Sequence, residues 1–325
     1  MFNVKYFDII KIENLLVIWK KFLRGKRHKK DVMIFQIELA DNLSSLYYSL
    51  INYTYTHGSY STFNISDPKP RNIHKASVRD RLLHHLIYEE LYPYFDRKFI
   101  FDLYSCRKNK GLHRALNRFR HFARKVSKNN SRTCYILKCD IQKFFANINH
   151  QILIKILERH ISDFRILWLV KKIIFSFYLN YQGTGLPLGN LTSQFFANIY
   201  MNEFDRYIKQ ELQVKYYIRY GDDFVIISDN KKHLNHLLFK IRRFLKNELK
   251  LALHENKIFI KTHASGLDFL GWIHFPYHRQ IRTTTKRKVI KRLKSYPRRQ
   301  TIISYRGLLS YGNTYKLREQ TGLVN

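Results

Sequence analysis

Tyr220-Gly221-Asp222-Asp223-Phe224 sets two adjacent carboxylates between two strand-like runs, Lys215-Tyr216-Tyr217-Ile218-Arg219 and Val225-Ile226-Ile227-Ser228. An apolar strand, a tight turn and a second strand make a β-hairpin, and glycine supplies turn geometry that a side chain resists. Neighbouring carboxylates repel, so a tip that concentrates them suits a bound cation. Hard oxygen ligands suit Mg²⁺, which takes carboxylates together with substrate phosphates. An Asp-Asp turn is more often a solvated hairpin loop than a metal site, so the rest of the chain must decide.

A second acid stands at the end of another strand, Tyr135-Ile136-Leu137-Lys138-Cys139-Asp140. Two-metal phosphoryl transfer needs carboxylates from separate strands around two ions roughly 3.5–4 Å apart. Asp140 is the partner this chemistry predicts for Asp222. Asp is also a good helix N-cap, and the two roles are compatible.

The elements that must position these acids follow from periodicity. Residues 13–24 read as a helix with Leu15, Leu16, Trp19, Phe22 and Leu23 on one face, and residues 31–52 as a second helix. Gly58 to Pro70 is turn-rich and strand-like, and its Asp67-Pro68-Lys69-Pro70 segment disfavours helix. Helices are predicted at 80–94, 111–126, 150–160, 165–178, 193–213 and 231–249, with a loop at 183–189. Short strands are predicted near 257–261 and 267–274, and the tail from Arg282 to Asn325 reads as helical and basic. This alternation is α+β, with a small sheet that is antiparallel around the hairpin.

Composition narrows the class. The 325 residues are 45% hydrophobic, so the chain is globular and long enough for several subdomains. Its formal net charge of +35 is the electrostatic footprint of a nucleic-acid binder. The 23 Tyr and 24 Phe exceed what a simple charge-neutralising protein requires. From Phe269 to Arg318 there is no Asp or Glu, whereas a solvated helix face mixes signs. Arg287, Lys288, Lys291 and Arg292 in this block are candidate phosphate contacts. Cys106, Cys134 and Cys139 form no CxxC pair, which predicts a reduced, cytoplasmic compartment without structural zinc. No signal peptide or membrane span is legible.

At this point a family resemblance becomes plain. Tyr135–Asn149 (YILKCDIQKFFANIN) and Tyr220–Phe224 (YGDDF) resemble the two metal-binding palm motifs of reverse transcriptases. Arg71–Ala115 resembles the fingers motifs of the bacterial intron-type enzymes, through Asp80-Arg81-Leu82-Leu83 and Tyr104-Ser105-Cys106-Arg107-Lys108-Asn109-Lys110-Gly111. Gly185-Leu186-Pro187-Leu188-Gly189-Asn190-Leu191-Thr192-Ser193-Gln194 is similar to the motif under template and incoming nucleotide. Leu253-His254-Glu255-Asn256-Lys257 resembles the segment with a lysine near the triphosphate, and Phe269-Leu270-Gly271-Trp272 the primer grip. The resemblance covers roughly residues 50–315, in the family's own order. It implies a right-hand polymerase fold: an N-terminal helical extension (1–60), fingers (61–134), a palm of small antiparallel sheet with helices (135–275), and a basic helical thumb (276–325). It leaves no room after the thumb for an endonuclease or maturase domain.

Most reverse transcriptases have glutamine at the position of Leu188. Here the run reads Leu-Gly-Asn-Leu-Thr-Ser-Gln, similar to the enzymes of diversity-generating retroelements, which copy a template RNA with frequent errors opposite adenine. Gly266–Trp272 and Ser304–Tyr315 resemble the same subfamily. Two other readings stay open: a group II intron-like or phage-defence reverse transcriptase, and a catalytically silent RNA-binding protein with the same fold.

The resemblance assigns roles. Asp140 and Asp222 bind two Mg²⁺ ions, with Mn²⁺ able to substitute; Asp223 assists and the Ile141 carbonyl adds a ligand. Phe145 matches the steric gate against a ribose 2′-OH, while Phe144 reads as core. Arg71 and Arg81 match residues that grip the triphosphate, though Arg81 also fits a helix-face arginine. Leu188 and Gly189 lie at the nucleotide. Lys257 either protonates the leaving pyrophosphate or screens it. Phe269, Leu270 and Gly271 grip the primer. The implied partners are template RNA, a DNA primer, dNTPs and a small basic helical accessory protein. Trp19 and Phe22 are a candidate docking face for that protein, or pack on the fingers.

Overall fold

The computed structural model describes residues 1–66, 70–179, 181–295 and 297–323, so Asp67-Pro68-Lys69 of the expected turn lies outside the described residues. Three sheets are present among them, all antiparallel. β1 (Ser61–Ile65) pairs with β2 (Arg71–Lys75). A four-stranded sheet contains β3 (Tyr135–Asp140), β4 (Tyr217–Tyr220), β5 (Asp223–Ser228) and β6 (Phe259–Thr262), in the order β4-β5-β3-β6. A third sheet is built from β7 (Leu267–Phe269), β8 (Trp272–His274) and β9 (Arg279–Ile281).

The helices are α1 (Tyr6–Ile9), α2 (Ile12–Phe22), α3 (Lys30–Ile37), α4 (Leu39–Ile51), α5 (Val78–Asp96), α6 (Leu112–Val126) and α7 (Phe144–Asn147). They continue with α8 (His150–Glu158), α9 (Phe164–Phe175), α10 (Leu191–Arg206), α11 (Lys231–Glu248), α12 (Thr283–Ser295), α13 (Arg299–Leu309) and α14 (Tyr315–Gln320). The mixed α+β class agrees with the expectation. The chain forms two compact units. The first comprises Met1–Phe101, Gln142–Tyr207 and Arg243–Ala252; the second comprises Asp102–Ile141, Ile208–Arg242 and Leu253–Asn325.

In the first unit, α5 is the central helix. Ser77 caps it by accepting from the Asp80 N–H at 3.1 Å. Leu82, Leu83, Leu86, Ile87, Leu91 and Phe95 are buried along it. Phe195 of α10 meets Phe95 edge-on at 5.7 Å, and α2 lies on another side. Leu15, Ile18, Trp19 and Phe22 recur at i, i+3, i+4 and i+7, and all four are buried. Trp19 and Phe22 stack on each other at 5.6 Å, and Trp19 also meets Phe35 of α3. Of the two readings of Trp19 and Phe22, docking face or packing within the chain, the second holds: the pair is core, packed on the chain's own helices. The single helix expected over 31–52 is two, broken at Glu38 with φ −108° and ψ 42°.

In the second unit, the middle of the four-stranded sheet is buried on both faces. Strands so placed read as near-continuous apolar runs, and Phe224, Val225, Ile226 and Ile227 form one. α6 covers part of this sheet. Ala115, Leu116, Phe119, Phe122 and Ala123 share one helical face, and Phe119 and Phe122 join Ile136, Ile218, Val225 and Ile227 in one cluster. Residues 267–274, expected as one strand, are a hairpin whose two-residue turn, Leu270 (φ 52°) and Gly271 (φ 89°), has positive φ at both positions. That is the requirement of a type I′ turn. Leucine is an unusual occupant, and Leu270 packs against the same cluster, which offsets the strain. The tail is helical as expected. Val289, Leu309, Leu317 and Leu323 make a small core there, with most of the basic side chains exposed.

Candidate active site

Asp140 closes β3 and Asp223 opens β5, and the two residues are directly paired in the antiparallel register. Their side chains therefore stand on one face of the sheet, as cross-strand neighbours do. Asp222 precedes Asp223 in the turn, and its carbonyl accepts from the Ile141 N–H at 3.2 Å. The β4–β5 hairpin is pinned by its tip to the exit of β3. Tyr220 pairs with Asp223, so Gly221 and Asp222 are the whole turn. Gly221 has φ 68°, and an added Cβ there meets only Ser105 Oγ at 3.9 Å. The turn demands glycine for its conformation rather than for space.

Cationic side chains stand against these acids. Lys257 Nζ lies 2.8 Å from Asp140 Oδ1. Its position is built locally: it ends a short 3₁₀ turn, Glu255–Lys257, ahead of β6. The His254 N–H donates to the Asp140 carbonyl at 2.8 Å, and Arg242 holds both oxygens of Glu255. Lys138 Nζ lies 3.6 Å from Asp223 Oδ2 and donates to the Asp268 carbonyl at 2.7 Å. Asp223 Oδ1 is buried with no hydrogen-bond partner. Burial pushes the Asp223 carboxyl up to about 7; Lys138 opposes this, and the charges of Asp140 and Asp222 reinforce it.

No three His, Cys, Asp or Glu side chains among the described residues are gathered as a finished metal cage. The donor set nonetheless fits a hard divalent cation: three carboxylates from a strand end and a hairpin tip, one with an orphaned buried oxygen. Lys257 and Lys138 occupy positions in which an ammonium supplies the positive charge that these carboxylates otherwise lack. The Ile141 carbonyl, expected to add a ligand, belongs to a buried residue bridged to Leu253.

Lys138 carried no role in the sequence reading. Its signal was present, since it precedes Asp140 by two residues and strand side chains at i and i+2 share a face. Ser105 and Arg219, which bond to Gly221, gave no comparable signal.

Of the expected nucleotide residues, Lys257 lies in the second unit, and Arg71, Arg81, Phe145, Leu188 and Gly189 lie in the first. Arg71 is exposed at the start of β2. Arg81 is largely buried; its guanidinium bonds to Asp31 and lies 5.4 Å from the Phe22 ring centroid. That is the packing of a helix-face arginine, its fork already engaged. Phe144 is buried, which fits its core reading, and Phe145 is half-buried. Both lie on the short helix α7, where successive side chains turn by about 100°. The Leu188 carbonyl accepts from the His74 N–H at 2.9 Å. Asn190, which is buried, donates to the His74 carbonyl at 2.7 Å and accepts from the Ala76 N–H at 3.3 Å. The Leu188–Asn190 loop is thereby stitched to β2. Gly189 has φ 108°, and a Cβ there would stand 2.6 Å from Ile73 Cγ2, so both conformation and space require glycine.

Phe269 is buried in the second unit's core, and Leu270-Gly271 is the half-buried turn beyond it. The Gly271 carbonyl accepts from the Arg282 N–H at 3.4 Å, and Arg282 Nε bonds to Asp268 at 2.5 Å. On α12, Arg287, Lys291 and Arg292 are exposed. Lys288, Lys291 and Arg292 line a groove of about 570 Å³ together with Arg298 of the following segment.

A four-stranded antiparallel sheet with acids at a hairpin tip and at the end of the neighbouring strand is consistent with a right-hand polymerase fold. The fold is similar to that of telomerase from Candida tropicalis (13% identical, TM-score 0.54, covering 82% of this chain and 56% of that one). It is similar also to telomerase from Candida albicans (12% identical, TM-score 0.52, covering 86% and 58%). The model of the family described as reverse transcriptase (RNA-dependent DNA polymerase) matches residues 66–274, and the chain belongs to that family. Relatives include Protein YkfC of Escherichia coli (25% identical over 68% of this chain and 66% of the relative). Others are the putative COX1/OXI3 intron 2 protein of Saccharomyces cerevisiae (20% identical; 67% and 31%) and the group II intron-encoded protein LtrA of Lactococcus lactis (23% identical; 42% and 34%). The chain spans about two thirds of the first relative's length and about a third of the other two.

Proposed function

We propose that the protein is an RNA-directed DNA polymerase that extends a DNA primer along a template RNA. The observation that carries this reading is the pairing of Asp140 with Asp223 beside Asp222 on the palm sheet of a reverse transcriptase family member. The carboxylates would hold Mg²⁺ or Mn²⁺. Bound divalent ions supply Lewis-acid chemistry, lowering the pKa of a primer 3′-hydroxyl and neutralising triphosphate charge. The chain's own residues would do the rest. Asp140 and Asp222 fix the cation positions, and Lys257 moves from Asp140 toward the triphosphate. Arg71 holds phosphate by paired bonds, and Phe145 excludes the ribose 2′-OH. Phe269–Gly271 presents the primer end, and the α12 cations lie along the phosphate backbone.

The substrate is, in this reading, the template of a diversity-generating retroelement. The support is the Leu188-Gly189-Asn190-Leu191-Thr192-Ser193-Gln194 run, with leucine where a glutamine amide is usual. A small basic helical accessory protein would select the template, because phosphate contacts carry affinity without sequence information. With Trp19 and Phe22 in the core, that protein must dock elsewhere. A cytoplasmic site of action is part of the same reading: no disulfide joins the cysteines, and no helix among the described residues is long and apolar enough to cross a membrane. A group II intron-like enzyme is the second reading, favoured by the intron-encoded relatives. A template and variable repeat pair beside the gene decides between the two.

The test of polymerase function is Asp222→Asn, which keeps the shape and removes one charge. Primer extension on RNA should fall by orders of magnitude while RNA binding, measured by filter retention, persists. A variant as active as the wild type would sink the assignment.

A further inference from the structure

The hairpin tip that carries the acids does not stand free. Ordinarily both peptide groups of a two-residue turn face water. Here the Gly221 N–H donates to Ser105 Oγ at 2.8 Å, and the Gly221 carbonyl accepts from Arg219 Nη1 at 3.0 Å. Both polar groups of the residue before Asp222 are thus held by side chains, one of them remote in sequence.

The backbone explains how Ser105 comes to be there. The Arg219 N–H donates to the Asp102 carbonyl at 3.1 Å, and the Tyr104 N–H donates to the Arg219 carbonyl at 3.0 Å. These bonds make a parallel bridge between Leu103 and Arg219. In parallel register a step of two residues on each chain brings Ser105 level with Gly221. Residues 102–105 act as a short splint along the outer edge of β4. The splint has its own anchor, since Arg118 of α6 bonds to Asp102 through Nε at 2.7 Å and Nη2 at 3.3 Å. The Tyr104 hydroxyl donates to the same carboxylate at 3.2 Å.

Arg219 is fully buried. A buried guanidinium is costly unless its donors are matched. Its place in β4, paired with Phe224 of β5, lets it fold back beneath the turn that follows it.

We propose that Ser105 and Arg219 are positioning residues for the acid-bearing turn: they lock the Gly221 peptide and so set where Asp222 presents its carboxylate. This rests on the polymerase reading of the same site. Neither residue touches substrate in this assignment. Ser105 acts through the N–H of Gly221 and Arg219 through its carbonyl. Small misplacements of a catalytic group are expensive in rate, so loosening the turn should reach the chemical step without weakening substrate binding.

The experiment uses the full chain with Ser105→Ala, Ser105→Thr and Arg219→Met. Single-turnover incorporation on an RNA template should slow about tenfold in Ser105→Ala, which corresponds to about 1.4 kcal/mol. The dNTP concentration for half-maximal rate, the affinity for RNA–primer duplex and the melting temperature should stay at wild-type values. Ser105→Thr keeps the hydroxyl and should restore the rate. Arg219→Met keeps the bulk, loses every donor and should slow incorporation more than Ser105→Ala.

A second readout is independent of activity. With 12 glycines, selective ¹⁵N-glycine labelling gives a sparse amide spectrum. Gly221 is assigned as the peak missing from Gly221→Ala. Its amide should exchange faster with solvent in Ser105→Ala and not in Ser105→Thr. An unchanged Gly221 exchange rate overturns the proposal, as does full incorporation in Ser105→Ala or a loss that tracks melting temperature. If the wild type extends no primer on RNA, the polymerase reading fails. The Gly221 amide still decides whether Ser105 holds the turn.

Discussion

At the hairpin tip, one Asp223 oxygen faces Lys138 at 3.6 Å and the other is buried without a partner. An unfolded chain holds an Asp proton only below about pH 3.9, whereas folded Asp223 keeps it up to about 7. The folded state therefore binds the extra proton between those values, and stability falls as pH rises through that window. Asp223→Asn should stabilise the fold at pH 8 by on the order of 2 kcal/mol, and by almost nothing at pH 3.5. Thermal melts at the two pH values check this, and equal shifts would refute it. Leu188 belongs to the same scale. A glutamine amide can hold template or nucleotide by a hydrogen bond, and leucine cannot. Leu188→Gln should lower misincorporation opposite template adenine more than at other bases. Single-nucleotide incorporation opposite each base, for wild type and variant, measures it; an unchanged ratio at adenine removes Leu188 as the determinant.

Among the elements, β2 and the Leu188–Asn190 loop behave as one piece because three hydrogen bonds join His74 and Ala76 to Leu188 and Asn190. Gly189 is the tightest point of that piece. Gly189→Ala should cost about 2 kcal/mol or more, from φ 108° and the 2.6 Å approach to Ile73 Cγ2 together. It should also raise the dNTP concentration needed for half-maximal rate. Adding Ile73→Ala relieves only the clash, so chemical denaturation should show partial recovery. Full recovery would mean that backbone strain is absent. The β4–β5 hairpin and β3 were legible in the sequence because apolar runs, a glycine turn and strand-end acids are local signals. The β7–β8 hairpin was not, because its turn uses Leu270 where Asn or Asp is usual, and its strain is offset by packing that only the folded core provides. The break at Glu38 involves neither Gly nor Pro, so nothing in the string marks it. Arg81 illustrates a different limit. A motif match can name a residue, but its engagement with Asp31 is a contact across 50 positions that no local pattern encodes.

For the whole molecule, the +35 charge would make the proposed RNA binding salt-dependent by release of condensed counterions. Arg287 and Lys291 are both exposed on α12. Replacing both with Ala should flatten the slope of log K against log salt by about 1.4 for single-stranded RNA, or about 0.7 per lost phosphate contact. Titrations across a salt series measure it, and an unchanged slope would remove α12 from the interface. The interleaving of the two units has a consequence for synthesis on the ribosome. β3 has β5 on one side and β6 on the other, and both are translated after it. At about 5–20 residues per second, the roughly eighty residues from Asp140 to Asp223 leave β3 waiting on the order of 4–16 s. The first unit also cannot close until Arg243–Ala252 has left the exit tunnel. The nascent chain must therefore carry an unpaired, apolar strand through about a quarter of its translation. A codon change that speeds or stalls elongation between the two acids would alter yield without altering a single residue of the finished protein.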